Sequence, residues 1–245
     1  MRAWKISDVG ISRKGKPNED ICLLEDIGQG CMLGVVCDGM GGVGGGNIAS
    51  STAVKTISDQ ISSGWRPGMS SNSIRSLLQS ALLAANINVF DMSKSVESLA
   101  GMGTTVVAVM ISDSIAHIVH AGDSRAYIIG SDKKIRLVTR DHSIVQNMIE
   151  SGHLTEEEAR THPRKNVITR ALGVADELDV DYDEIELDED ESVLLCTDGL
   201  TNYAEIKEIN DIFANAPFME YPERLVELAN KNGGGDNITV VVISR

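Results

Sequence analysis

Residues 104–130 read TTVVAVMIS, then Asp113, SIAHIVHAG, Asp123 and SRAYIIG. Three apolar runs rich in β-branched residues follow one another with a single aspartate between each pair. Runs of this length, punctuated by Ser-Asp and Gly-Asp turns, read as consecutive short strands of a meander. Nothing helical separates them, so they lack the crossover that a parallel pair needs.

The texture differs on either side. Upstream, residues 1–40 read as strands: an alternating start, then ICLLED (21–26) and CMLGVVCD (31–38). GGVGGG (41–46) follows as a flexible turn. Ala49, Ala53, Ile57 and Ile61 recur at four-residue steps, which predicts a helix from Asn47 to about Ile61. After the breaker-rich stretch 62–73, a second helical face runs through Ile74, Leu77, Leu78, Ala81, Leu82 and Ala85. Downstream, 141–150 reads as a short helix, and Thr155 with Glu158 has capping-box spacing. SVLLCTDG (192–199) is a strand, helices are expected around 204–214 and 221–231, and ITVVVIS (238–244) is the last strand. Helices and strands in blocks, with few strand–helix–strand units, favour an α+β layered sandwich of antiparallel sheets covered by helices. GMGGVGGG (39–46) has Gly-x-Gly spacings but lacks the Lys-Ser/Thr of a phosphate-binding loop, and Asp38 would repel a phosphate there.

At 245 residues, 42% of them hydrophobic, the chain has the size and composition of one globular domain spanning 1–245. No apolar stretch approaches the ~18 residues of a membrane span. The start, MRAWKISDVG, lacks the apolar centre of a secretion signal, so a cytoplasmic protein with no membrane partner is expected. Net charge is −14, which argues against a nucleic-acid partner, because phosphate backbones need basic surface. Eleven of the 36 acids fall between Asp176 and Glu191, where Leu178, Val180 and Tyr182 alternate with Asp179, Asp181 and Asp183. That pattern reads as a half-exposed strand whose charges discourage edge pairing. Cys22, Cys31, Cys37 and Cys196 lack metal-site spacing and read as reduced thiols. No setting that would lower a thiol pKa surrounds Cys196, so it is not expected to be a nucleophile.

Four acidic signatures stand at the ends of apolar runs or beside tight turns: Asn18-Glu19-Asp20, Asp38-Gly39, Asp198-Gly199 and Asp236-Asn237. Strand ends carry such carboxylates to one edge of a core. Converging carboxylates repel, so the set implies a compensating positive charge. Hard oxygen ligands suit Mg²⁺ or Mn²⁺, which points to a binuclear metal hydrolase.

The ordered segments NED (18–20), VCDGMGG (36–42), GMGTTVV (101–107), HAGDSRAY (120–127), RDHS (140–143), HPRKNVITRALG (162–173), CTDGL (196–200) and GGGDNITVVVI (233–243) make the chain resemble the metal-dependent serine/threonine protein phosphatases of type 2C, in their bacterial form. Each piece is weak alone; eight in order across almost the whole chain are specific. The resemblance implies a four-layer α-β-β-α sandwich with two central, mainly antiparallel sheets and a flap-like segment at about 144–170. It implies two Mg²⁺ or Mn²⁺ ions, with Asp38 bridging, the Gly39 carbonyl at the second metal, and Asp198 and Asp236 completing the first. Glu19 and Asp20 hold the metals or orient their waters, and Asp123 joins Asp198 at a third, weaker ion. The implied reaction is hydrolysis of phosphoserine and phosphothreonine in proteins, the products of a serine/threonine kinase. A metal-bridging hydroxide attacks phosphorus in line, with no phosphoenzyme. Ser124, Arg125 and His142 are expected to be structural, and His162 to fix the flap.

Three positions depart from the family pattern. The arginine that usually precedes the NED-type aspartate by five residues is replaced by Gly15, so Arg13, with Lys16 second, is the candidate phosphate clamp. Asn47 stands where many bacterial members have Glu, and Val43 where the family often has His. These departures support the competing reading, a catalytically idle phosphoprotein-binding module of the same fold.

Overall fold

The computed structural model describes residues 1–42 and 44–245; the departure at Val43 lies outside the described residues. The chain opens with strands β1 (Arg2–Asp8), β2 (Asp20–Gly28) and β3 (Cys31–Met40), then helices α1 (Gly45–Gly64) and α2 (Ser71–Ser95). The 104–130 stretch forms β5 (Val106–Ser112), β6 (Ile115–Ala121) and β7 (Arg125–Ile129), preceded by the short β4 (Gly103–Thr104) and followed by β8 (Ile135–Leu137). Helices α3 (Ile144–Glu150) and α4 (Glu156–Thr161) come next, then β9 (Asp181–Glu186), β10 (Ser192–Cys196), α5 (Asp198–Thr201), α6 (Ile206–Asn215), α7 (Tyr221–Lys231) and β11 (Ile238–Ser244).

Strands β2-β3-β5-β6-β9 form one sheet, with β4 attached to β3, and β1-β11-β10-β7-β8 form the other; every strand pair is antiparallel. The meander of residues 104–130 therefore changes sheets between β6 and β7. Three cores explain the layering. Leu33, Val35 and Cys37 on β3, with Val106, Ala108 and Met110 on β5, pack against α1 and α2. The alternate residues Val36, Val107, Val109 and Ile111 face Val193, Leu195, Val241 and Ile243 of the other sheet. On its far side that sheet presents Leu194, Val240 and Val242 to Phe213 of α6 and to Leu225 and Ala229 of α7. Both faces of each sheet are buried, which is why the strands are continuous apolar runs rather than alternating ones. The result is the four-layer α-β-β-α sandwich expected.

Element boundaries shifted where a polar side chain caps a helix. Ser70 accepts from the Ser73 N–H and starts α2 at Ser71, three residues before the expected face. Ser143 accepts from the Gln146 N–H, so the expected helix over 141–150 begins only at Ile144. The Thr155–Glu158 capping box is present, with Thr155 N–H to Glu158 Oε2 at 2.8 Å and the return bond at 3.2 Å. The acidic strand is shorter than its pattern and lies at the outer edge of its sheet. Leu178, Val180 and Tyr182 pack inward as the alternation required. The strand expected over 192–199 ends at Cys196, and its last two residues open the short α5 instead.

Candidate metal centre

Strand register brings the acidic signatures together. Asp20 at the start of β2 lies directly opposite Asp38 on β3. In the other sheet, β10 and β11 are antiparallel neighbours pairing Cys196 with Val240, so Asp198, just after β10, and Asp236, just before β11, emerge at one end. A hydrogen bond joins the two sheets there: Thr197 Oγ1–H donates to Asp20 Oδ2 at 2.9 Å while accepting from the Thr239 N–H at 3.0 Å. Asn237 is a second bracket, accepting from the Glu19 N–H at 2.9 Å and donating to the Val9 carbonyl at 3.0 Å. Thr105 is a third: its Oγ1 accepts from the Asp38 N–H at 3.0 Å and shares a 2.7 Å hydrogen bond with Ser124. Ser124 is thus structural, as expected, and Gly103 and Thr104 pair beside the centre with Met40 and Gly39.

Asp38-Gly39 is not a turn. Strand β3 runs on through both residues to Met40, and the start of α1 lies against it. A Cβ on Gly39 would come within 2.1 Å of the Gly46 carbonyl oxygen and 2.6 Å of that of Glu19. One on Gly46 would come within 2.5 Å of Glu19 Oε1. The glycine-rich run, expected to be flexible, therefore ends in a residue that permits close backbone approach beneath the acidic cluster.

The electrostatics are those of a site short of positive charge. Asp20 is 2% exposed. Burial first, and then Asp198 and Asp236, raise its carboxyl to about 7 against the pull of its threonine hydrogen bonds. Asp123 is pushed up to about 8 and Asp198 to about 6, again chiefly by burial and then by neighbouring carboxylates. Asp38 is raised well above the usual carboxylate range by burial and by Asp20, Asp198, Asp123 and Asp236. Asp38, Asp123 and Asp198 keep a partly exposed edge, so solvent screens part of this effect. Asp20 Oδ1 and Asp198 Oδ1 are buried with no donor. Unpartnered carboxylate oxygens in a common acidic cluster are the donor set that hard divalent cations take, and the residues fit such ions.

Arg13 lies in this cluster. Its Nη1 pairs with Asp236 Oδ1, and its Nη2 is 3.5 Å from Glu19 Oε2. The candidate phosphate clamp is thus engaged with two of the candidate ligands, while Lys16 is exposed and makes no ion pair among the described residues. Asn47 donates to the Asn18 carbonyl at 3.3 Å, beside the NED signature. Arg125 grips Asp141 through both nitrogens of its fork at 2.8 and 2.7 Å. Sequence reasoning missed the brackets Thr105, Thr197 and Asn237. The available signal was their position, adjacent to a candidate ligand in each of the last two cases.

A second polar cluster lies apart from this centre. His120 stacks on His142 with ring centroids 4.7 Å apart, and His142 Nε2 is 3.2 Å from Asp181 Oδ2. These three residues could together face an ion. However, Arg170 already supplies the cation, with Nη1 2.6 Å from Asp181 Oδ1. The Gly122 N–H donates to His142 Nδ1 at 3.1 Å, and Arg170 Nη1 lies 2.9 Å from His142 Nε2. Burial, then His120 and Arg170, lower the His142 imidazole to about 4, which keeps it neutral near pH 7. The cluster ties residues 142 and 170, which flank α3 and α4, to β9. Within that segment His162 Nδ1 accepts from the Arg164 N–H at 3.2 Å, a local turn contact.

The profile of the family described as Protein phosphatase 2C matches residues 10–240. The serine/threonine phosphatase stp of Listeria innocua is 36% identical over 215 residues, covering 86% of this chain and 83% of that protein. The solved serine/threonine phosphatase of S. agalactiae superposes with a TM-score of 0.91 at 32% identity, covering 100% of this chain and 99% of its own. The catalytic domain of the serine threonine protein phosphatase PstP, solved in complex with two manganese ions, superposes with a TM-score of 0.85 at 30% identity over 98% of this chain and 96% of its own.

Proposed function

This chain belongs to the protein phosphatase 2C family, and we propose that it hydrolyses phosphoserine and phosphothreonine in proteins using two Mg²⁺ or Mn²⁺ ions held among Asp38, Gly39, Asp198, Asp236, Asp20 and Glu19. It is an enzyme, a serine/threonine protein phosphatase of a metal-dependent family. The observation that carries the finer reading is the convergence of raised, buried carboxylates from both sheets, two of whose oxygens have no donor. An idle binding module would retain that cost with nothing to offset it, and no structural observation favours it.

When bound, a pair of divalent ions lowers the pKa of water towards neutrality, supplies the nucleophile for in-line attack on phosphorus and screens the phosphoryl charge. The chain's own residues do the positioning. Thr197 fixes one oxygen of Asp20 and leaves Oδ1 for the ions. Asn202 Nδ2 donates to Asp198 Oδ2 at 2.8 Å and likewise leaves Oδ1. Thr105 holds the Asp38 backbone, and Asn237 that of Glu19. Asp123, beside Asp198, is the residue for a third, weaker ion. Cys196 takes no part, since burial pushes its thiol up to about 12.

We read residues 1–245 as one catalytic domain and 144–170 as a flap beside the centre. Its substrates would be phosphoproteins made by a serine/threonine kinase. None of the four cysteines is bridged, and no helix among the described residues is long and apolar enough to cross a membrane. The test is phosphate release from a phosphothreonine peptide. We expect release with Mn²⁺ or Mg²⁺ and none with EDTA; equal release under both conditions would overturn the proposal.

A further inference from the structure

A groove of about 210 Å³ adjoins the acidic cluster, with Asp123, Asp198, Val145, Ile149 and Ile206 among the residues that line it. It lies between α3–α4 and the start of α6, and Lys165 borders it. The two arginines that line the groove are already engaged, and so is Arg13. Arg125 is held by Asp141, Arg160 by Glu205 at 2.6 Å, and Arg13 by Asp236 and Glu19. Lys165 is half-buried and makes no ion pair among the described residues. It lines the same groove as Asp198 and Asp123. Its backbone is fixed in a turn, Lys165 N–H to His162 carbonyl at 3.0 Å, followed by Val167 N–H to Arg164 carbonyl at 3.1 Å.

From this juxtaposition we infer that Lys165 takes hold of a phosphoryl oxygen of the substrate, from the groove that Asp123 and Asp198 also line. An unpaired ammonium on a flexible stem, at the edge of a cleft that must receive a dianion, is suited to that role. It also supplies what Arg13 does not while Arg13 is bound to Asp236. The inference rests on the phosphatase activity proposed above. Lys165 is here a substrate-binding residue and holds no metal.

The test uses the full chain loaded with Mn²⁺, wild type against Lys165→Met and Lys165→Arg, with a phosphothreonine peptide and p-nitrophenyl phosphate as substrates. Inorganic phosphate inhibition and Mn²⁺ titration calorimetry are measured on the same proteins. Met cannot make the charge-assisted hydrogen bond, so Lys165→Met should raise KM for both substrates, and weaken phosphate inhibition, on the order of tenfold. KM should change more than kcat, Lys165→Arg should recover most of the loss, and Mn²⁺ affinity should stay at the wild-type value. An unchanged KM in Lys165→Met overturns the assignment, as does a KM effect confined to the peptide, which would mean that Lys165 reads the chain and not the phosphoryl group. Loss of Mn²⁺ affinity in step with KM also overturns it, since Lys165 would then act through the carboxylates. Wild-type protein that turns over neither substrate would overturn the phosphatase proposal itself, and the role of Lys165 with it.

Discussion

Asp198→Asn should make the metal-free protein more stable while disabling it. In the metal-free fold the Asp198 carboxyl sits at about 6 instead of its ordinary 3.8, raised by burial and then by Asp236. A carboxyl raised on folding binds its proton more tightly in the folded chain, so its penalty is fully present above the folded value and disappears as pH falls below the unfolded one. A rise from 3.8 to about 6 corresponds to about 3 kcal/mol, which partial exposure and coupling reduce to roughly 1–3 kcal/mol. Asn removes the charge and keeps a carbonyl oxygen for the Asn202 amide, which now donates to Asp198 Oδ2 at 2.8 Å. At about 2–4 °C per kcal/mol for a chain of this size, the metal-free Tm near pH 7.5 should rise by roughly 2–12 °C, and the gain should vanish near pH 3.5. Saturating Mn²⁺ at about 100 times Kd adds about 2.7 kcal/mol to the wild type, and the variant should lose most of that increment. Turnover should fall by several orders of magnitude, roughly 10³-fold or more. Thermal melting in EDTA and in Mn²⁺, followed by peptide dephosphorylation, measures all three. A lower metal-free Tm, or a variant that still gains the full Mn²⁺ increment and turns over at the wild-type rate, would refute this reasoning.

The same linkage extends to the whole cluster. With Asp20 at about 7 and Asp123 at about 8, metal-free stability should decline as pH rises from about 4 to about 8, and Mn²⁺ should stabilise more at the alkaline end; a flat profile in EDTA would contradict it. Gly39→Ala should cost more than about 3 kcal/mol by melting, because its Cβ would lie 2.1 Å from the Gly46 carbonyl oxygen; a Tm near wild type would show that α1 can move aside. Thr197→Val leaves the Thr239 N–H without a partner and takes the Thr197 hydrogen bond from Asp20 Oδ2, so about 1–3 kcal/mol of stability should be lost along with Mn²⁺ affinity; calorimetry that finds both intact would remove Thr197 as the bracket between the sheets.

The layered fold was legible because burying both faces of each sheet forces long apolar runs, and Val106–Ser112 and Ile238–Ser244 show this directly. The convergence of the four acidic signatures was legible for a related reason: a strand end is a fixed place relative to its core, so carboxylates there cannot scatter. What escaped reading depends on contacts between elements far apart in the chain. Thr197 meets Asp20 across 177 positions and Asn237 meets Glu19 across 218, and neither partner signals the other locally. Arg13 was anticipated at the cleft from its spacing, yet its engagement with Asp236 depends on how the 10–16 turn packs against the 233–236 turn. The helical start at Asp198 is four residues long, too short for any periodicity to announce.

A crystal structure of the chain grown with Mn²⁺, with anomalous scattering recorded at the manganese edge, tests the central claim most directly. We expect two strong anomalous peaks at the shared end of the sheets, in contact with carboxylate oxygens of Asp38, Asp198 and Asp236 and with the Gly39 carbonyl. Density at the metal edge located elsewhere, or none at saturating Mn²⁺, would contradict it.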